Sequence, residues 1–226
     1  MKLTNQQIAQ IEETLVLNGL VYQDVKLELL DHIASEIEER LSNEEISFDI
    51  VFEAVFEKWE QSLEISSSGN WLGAFFKAPR VVIEKLVTYS KRQTLIILLS
   101  AIVFGFVLVL IVSNIQSQQT FNSLNLGLKG AYLVLVLATV LSLFFIWYSK
   151  IKTTYGRLFL YRGWLVFFFL FQFNIINEPL KNFDSNNSFL FNFITCILLG
   201  FPFTYCFFQL MMVYEHYKIV KKLKLV

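Results

Sequence analysis

The stretch "TLIILLSAIVFGFVLVLIVSNI", Thr94 to Ile115, contains no charged side chain. At 1.5 Å rise per residue it makes about 33 Å of helix, enough to cross the ~30 Å hydrocarbon layer of a bilayer. A helix covering a water-soluble core would show charge on its wet face every turn or two. Three further runs have the same character: Gly130 to Tyr148, Leu158 to Ile176 and Phe189 to Val213. Their one charge is Arg162, near the start of the third run, where its side chain can snorkel to the interface. The runs predict four transmembrane helices over 94–115, 130–148, 158–176 and 189–213. They account for a composition that is 55% hydrophobic and 16% aromatic, above ordinary soluble usage.

Charge divides the chain in two. Residues 1–65 hold fifteen of the nineteen acids and four of the nineteen bases, a formal charge of −11, and the remainder carries +11. Basic residues alternate along the connections. Five precede the first run, four lie in or just after the second connection and four follow the last, against only Lys129 and Lys181 in the first and third connections. The bias of Lys and Arg toward the inner side then predicts both termini in the cytoplasm. The first long apolar run begins only at Thr94, so no cleavable leader is expected. Cys196 and Cys206, ten residues apart on one predicted helix, lie ~15 Å apart and cannot bridge.

Residues 1–65 read as an acidic cytoplasmic bundle of three helices. Thr4 and Gln7 form a capping box ahead of Ile8, Ile11 and Leu15, and Asn18-Gly19 ends the first helix. Val25, Leu29, Ile33 and Ile37 make the stripe of the second. Ser47 caps the third, whose apolar positions are Phe48, Val51, Phe52, Val55, Phe56, Trp59 and Leu63. Ser66 to Asn70, "SSSGN", reads as a flexible joint. Beyond it "WLGAFFKAPRVVIEKLVTYSKR", Trp71 to Arg92, interleaves apolar and basic residues. Residues 66–93 are therefore expected to be a linker and an interfacial amphipathic helix bent at Pro79, the alternative being an extension of the first span. The predicted class is all-α, with a membrane domain over 94–226.

Within "LELLDHIASEIEER", Leu27 to Arg40, Glu28, His32 and Glu36 share a helix face, with Asp31 and Glu39 further round on the wet side. One imidazole among carboxylates is a poor zinc set, and the only other histidine, His216, follows the last run. His32 therefore reads as a margin residue of the bundle, and no metal or other cofactor is expected. No phosphate-binding glycine loop, nucleophile elbow or HExxH motif occurs, so no catalytic constellation is assigned. Asp, Glu, Lys and His are absent from the middle of every run, which counts against ion-coupled transport. Ser100, Thr139, Ser142, Gln172, Asn174, Asn192, Thr195, Thr204 and Gln209 read as polar groups bonding across helices. Ala101 and Gly105 permit close helix approach within the bundle or between two copies, and Gly200 and Pro202 are expected to kink the fourth span. In the outer loop, Glu178 and Asp184 read as solvated acids.

The segments "LTNQQIAQIEETLVLNGL", "VKLELLDHIASEIEERLSN" and "SFDIVFEAVFEKW" resemble the short helical domain, HAAS-like or of permease-prefix type, that precedes membrane helices in many bacterial proteins. The resemblance covers about the first 64 residues and rests on Leu29-Leu30-Asp31-His32-Ile33 and the acidic turn that follows. It implies a cytoplasmic regulatory or interaction domain on an inner-membrane protein, with no catalytic residue to carry over.

Partners expected from the sequence are the lipid bilayer and a protein that meets the acidic head. Nucleic acid is excluded, because phosphate repels a head of −11. The candidate interaction residues are Glu28, Asp31, His32, Glu36 and Glu39 on the head and Lys150, Lys152, Arg157, Lys221 and Lys222 on the basic segments. Either the head docks on its own basic face, in Lys150 to Arg162 or Lys218 to Lys224, or lipid occupies those bases and leaves the head for a basic partner. Docking through exposed charges would be reversible and salt-sensitive. The rival to a regulatory module is a small transport or permease subunit. An enzyme acting on lipid ranks third.

Overall fold

A computed structural model describes residues 2–43, 46–73, 75–172, 179–181, 183–184 and 186–224. Expectations for Asn174, Ile176 and Glu178 lie outside these, as does the side chain of Gln172. The chain is mostly helical and divides into two compact units. The first comprises Met1–Ser90, Lys150–Leu158 and His216–Val226, and the second Lys91–Ser149 and Phe159–Glu215. Residues 150–158 and 216–226 therefore group with the head, where the sequence reading had assigned them to the membrane half.

In the first unit, α1 (Asn5–Leu17) opens with the expected capping box. Thr4 Oγ1 accepts from Gln7 N–H at 3.3 Å, and Thr4 N–H donates to Gln7 Oε1 at 2.8 Å. Gly19, at φ +83°, turns the chain where a side chain would be strained. α2 (Gln23–Asn43) buries Val25, Leu29, Ile33 and Ile37 against Ile11 and Leu15, as the stripe predicts. α3 (Phe48–Leu63) differs from expectation in two ways. Ser47 makes no capping hydrogen bond, and only Val51, Val55 and Leu63 of its apolar face are buried. Phe48, Phe52 and Phe56 stay half-buried and stack along the helix, with centroid separations of 5.5 and 4.6 Å.

Among the described residues no interfacial helix bent at Pro79 forms. β1 (Ile65–Ser67) pairs antiparallel with β2 (Lys77–Pro79), Ser66 opposite Ala78, and α4 (Gly69–Leu72) lies between them. The expected joint, Ser66 to Asn70, is thus divided between the end of β1 and the start of α4. Proline lacks an N–H, so Pro79 fits the end of a strand, and α5 (Arg80–Ser113) starts directly after it. That helix continues without a break into the first apolar run, which is the alternative reading of residues 80–92.

The second unit is built from α5, α6 (Gln118–Tyr148), the end of α7 (Thr154–Arg162), α8 (Leu165–Gln172) and α9 (Phe189–Lys224). Among the described residues α5, α6 and α9 are long and apolar enough to cross a membrane. The third run is no single helix, because it breaks at Gly163 and Trp164. A Cβ on Gly163 would stand 2.9 Å from Phe159 O and 3.1 Å from Leu143 Cδ2, so the break lies where α6 comes close. α6 starts twelve residues before the predicted Gly130, because Phe121, Leu124 and Leu128 continue its apolar face onto the core.

Tyr132, Val136, Phe169, Leu199, Phe203, Tyr205 and both free cysteines form that core. Leu98, Val103, Phe106, Val134, Leu137, Leu141 and Phe144 lie exposed outside it, so large apolar side chains cover much of this unit's surface. Gly105 and Ala101 act within the chain. A Cβ on Gly105 would meet Ile197 N at 2.7 Å, and one on Gly200 would meet Phe104 Cδ1 at 2.6 Å, so α5 and α9 touch backbone to backbone. α9 runs through Pro202 as one helix.

Polar side chains in this unit mostly bond back along their own helix. Thr139, Ser142, Thr195 and Thr204 each donate to the carbonyl four residues earlier. Cross-helix bonds gather instead at Arg162, whose Nη1 donates to Gln93 Oε1 at 3.3 Å and Thr94 Oγ1 at 3.4 Å. Rather than reaching outward, Arg162 is half-buried and tied to the start of the first run.

Candidate functional site

The first unit contains a buried polar node that the candidate residues did not include. α7 begins at Thr154, and helix starts leave backbone N–H groups without intrahelical partners. Asp24, in the first turn of α2, supplies what they need. Its Oδ1 accepts from Thr154 N–H at 2.9 Å, and its Oδ2 accepts from the Thr154 hydroxyl. One residue earlier, Gln23 N–H donates to Lys152 O at 2.9 Å. A carboxylate at a helix N-terminus is favoured both as hydrogen-bond acceptor and by the helix dipole. The head is thereby fixed to the 150–158 connection by backbone as well as side chains.

Thr153 continues the node. Its Oγ1 accepts from Gly156 N–H at 3.0 Å and lies 2.8 Å from His216 Nδ1. Thr153, Thr154 and His216 are 1%, 4% and 1% exposed, so the hydrogen bonds between them form away from water. The Thr153 oxygen accepts from Gly156, and its proton can go to Nδ1 when the neutral His216 ring carries its own proton on Nε2. Gly156 makes the approach possible, since a Cβ there would stand 3.0 Å from Nδ1. Burial holds His216, three residues beyond the apolar run that ends at Val213, below the ordinary imidazole pKa, with Asp24 opposing. Burial likewise pushes up the Tyr22 hydroxyl, against Arg157 and with Asp24.

Apolar contacts surround these bonds. Arg157 lies over the Phe76 ring at 4.7 Å, Phe76 meets Tyr22 edge-on, and Tyr89 packs edge to face on Tyr155 at 5.2 Å.

The sequence-predicted residues take other roles. Glu28 pairs with Lys85 of α5. Glu36 accepts from Arg40 and Lys58, both at 2.9 Å, and from Trp59 Nε1 at 3.4 Å. Burial alone would raise the Glu36 carboxyl, but these three donors outweigh it and hold it below the ordinary value. Glu28 and Glu36 thus turn to bases rather than to His32, which is exposed with Asp31 and Glu39. Among the described residues no group of three or more His, Cys, Asp or Glu is placed to hold a metal. Lys150, Lys152, Lys221 and Lys222 are exposed, and Lys152 engages the head through its carbonyl rather than its charge. Of the ten candidates, Lys152 and Arg157 belong to the node's surroundings.

Asp24, Thr153, Thr154 and His216 were missed. The signal for Thr153 and Thr154 was in "KTTYG", Lys152 to Gly156, where a threonine precedes a helical stretch. In the second unit a cleft of about 460 Å³ is lined by Gln116, Phe121, Asp184, Asn187, Phe189 and Asn192 among others. Its carboxylate is used locally, since Asp184 Oδ1 accepts from Asn186 N–H at 2.9 Å.

No family model, curated protein or solved structure matches this chain.

Proposed function

We propose that this chain is an integral membrane protein of four spans with both termini in the cytoplasm, and that its acidic head is a regulatory interaction module held at rest on the chain's own 150–158 connection. The observation that carries the reading is the Asp24 carboxylate on Thr154 N–H and hydroxyl, backed by Thr153 on His216. Three long apolar helices and the alternation of basic connections support the membrane assignment, with the third run as the remaining span, made in two pieces. The likeness of residues 3–64 to HAAS-like domains supports a bacterial inner membrane and a regulatory role.

Release of the head exposes the start of α7 and frees α2 to meet a protein partner through its wet face, where Asp31, His32 and Glu39 lie exposed. A basic partner surface matches the head's −11 charge. The test places a photocrosslinking residue at position 31 of the full-length protein in its native membrane. With Asp24→Ala added, crosslinks to another protein should rise. An unchanged yield at position 31 would count against a head regulated by this contact.

A further inference from the structure

We propose that the resting contact is proton-gated: uptake of a proton by His216 releases the head from the connection. The inference rests on the docking reading above and adds its regulation. Its basis is the division of hydrogen bonds at Thr153. The hydroxyl accepts from Gly156 N–H and is paired with Nδ1, and only a neutral ring leaves Nδ1 able to accept the hydroxyl proton. A second proton turns Nδ1 into a donor, strands the Thr153 hydroxyl proton in a buried site and sets a cation at the positive end of the α7 dipole.

Charged groups border this site on several elements. Asp24 faces it from α2 and opposes the switch, since its charge favours the imidazolium. Arg157 stands on α7, and Lys85 of α5 borders Thr154 and Tyr155, both adding positive charge. Glu215 and Lys218 flank His216 on its own helix.

Burial outweighs Asp24, and the docked ring titrates below its ordinary value. A group whose value is lowered in the docked state supports docking fully above its undocked value. That support declines as pH falls toward the docked value and then levels off. The window lies below the ordinary imidazole value of ~6.5.

The experiment measures amide exchange of the full chain in lipid nanodiscs from pH 7.5 to 5, corrected for the intrinsic pH dependence of exchange. The probes are the Thr154, Gly156 and Gln23 amides. Protection in the wild type should fall by about tenfold for each pH unit separating docked and undocked values. His216→Asn, which removes the titrating ring, should show no pH dependence, whatever its level of protection at pH 7.5. His216→Gln serves if the asparagine variant fails to dock. His32→Asn, which removes the other histidine, should titrate like the wild type. A flat wild-type profile overturns the gate, as does a His216→Asn profile that still falls. Asp24→Ala separates the two levels of the account. If it lowers protection at every pH while the wild type is flat, the docking stands and the gate fails. If it leaves protection unchanged at every pH, the docking itself is wrong.

Discussion

Asp24 shows how a functional position hides in an ordinary helix start. An aspartate in the first turn of α2 is what any helix favours, so nothing in its local sequence reveals that its carboxylate serves a different helix 130 residues away. Two substitutions separate charge from shape. Asp24→Ala leaves Thr154 N–H without its acceptor in a buried site and should weaken docking by about 1–3 kcal/mol. Asp24→Asn keeps one acceptor oxygen and should weaken it less, and the ratio of Thr154 amide protection in the two variants measures the difference. Gly156→Ala tests the close approach. Its methyl would stand 3.0 Å from His216 Nδ1 and 3.3 Å from Thr153 Oγ1, so the ring must shift, at about 1 kcal/mol or more. His32 was the more conspicuous residue in the sequence. Its neighbours Glu28 and Glu36 pair with Lys85 and Lys58, bases whose proximity no spacing rule within one helix can supply. The candidate site was therefore legible only as charge, an acidic head and basic segments, while the uncharged hydroxyls that join them were not.

Elements with strong local patterns were read closely. The α1 capping box and the α2 stripe hold because their determinants lie within a few residues, and the long apolar runs of α5 and α9 hold because length and absence of charge suffice. What failed was decided by contacts between distant segments. Residues 65–79 pair as β1 and β2 through backbone bonds to which short polar and apolar side chains give no period. The third run is divided at Gly163, beside Leu143 of α6, and α6 is lengthened by three side chains that find the core. Two predictions belong here. Gly105→Leu would drive a side chain into the Ile197 backbone and should destabilise the second unit by about 1–3 kcal/mol or more, read as a lower melting temperature in detergent. Glu36 is held below its ordinary value, so its ties to Arg40 and Lys58 contribute fully above the unfolded carboxylate value and are lost as pH falls through the folded one. Glu36→Gln should flatten the acid side of the α2–α3 stability profile while changing little more than a surface pair at neutral pH, which amide exchange along α3 can follow.

For the whole chain, the split between −11 and +11 suggested a head drawn electrostatically to its own bases. Hydrogen bonds at the buried start of α7 carry the contact instead, and salt screens such groups far less than exposed pairs. Docking should accordingly persist from low to high salt, where the charge reading alone expects it to loosen. Topology has its own check in a background lacking Cys196 and Cys206. A cysteine at position 186 should react with an impermeant reagent from outside, and one at position 150 only after permeabilisation. Labelling at position 150 from outside would overturn the assignment. The central claim, that the head rests on the 150–158 connection, is tested most directly by disulfide trapping in native membranes. Gln23 N–H on Lys152 O brings those two backbones together, so the pair Gln23→Cys and Lys152→Cys should form an intramolecular bridge. Glu39→Cys with Lys152→Cys is the control, sixteen residues or ~24 Å further along α2. The account predicts efficient bridging of the first pair, unchanged by salt and reduced by Asp24→Ala, with little bridging of the second; equal yields from the two pairs would contradict it.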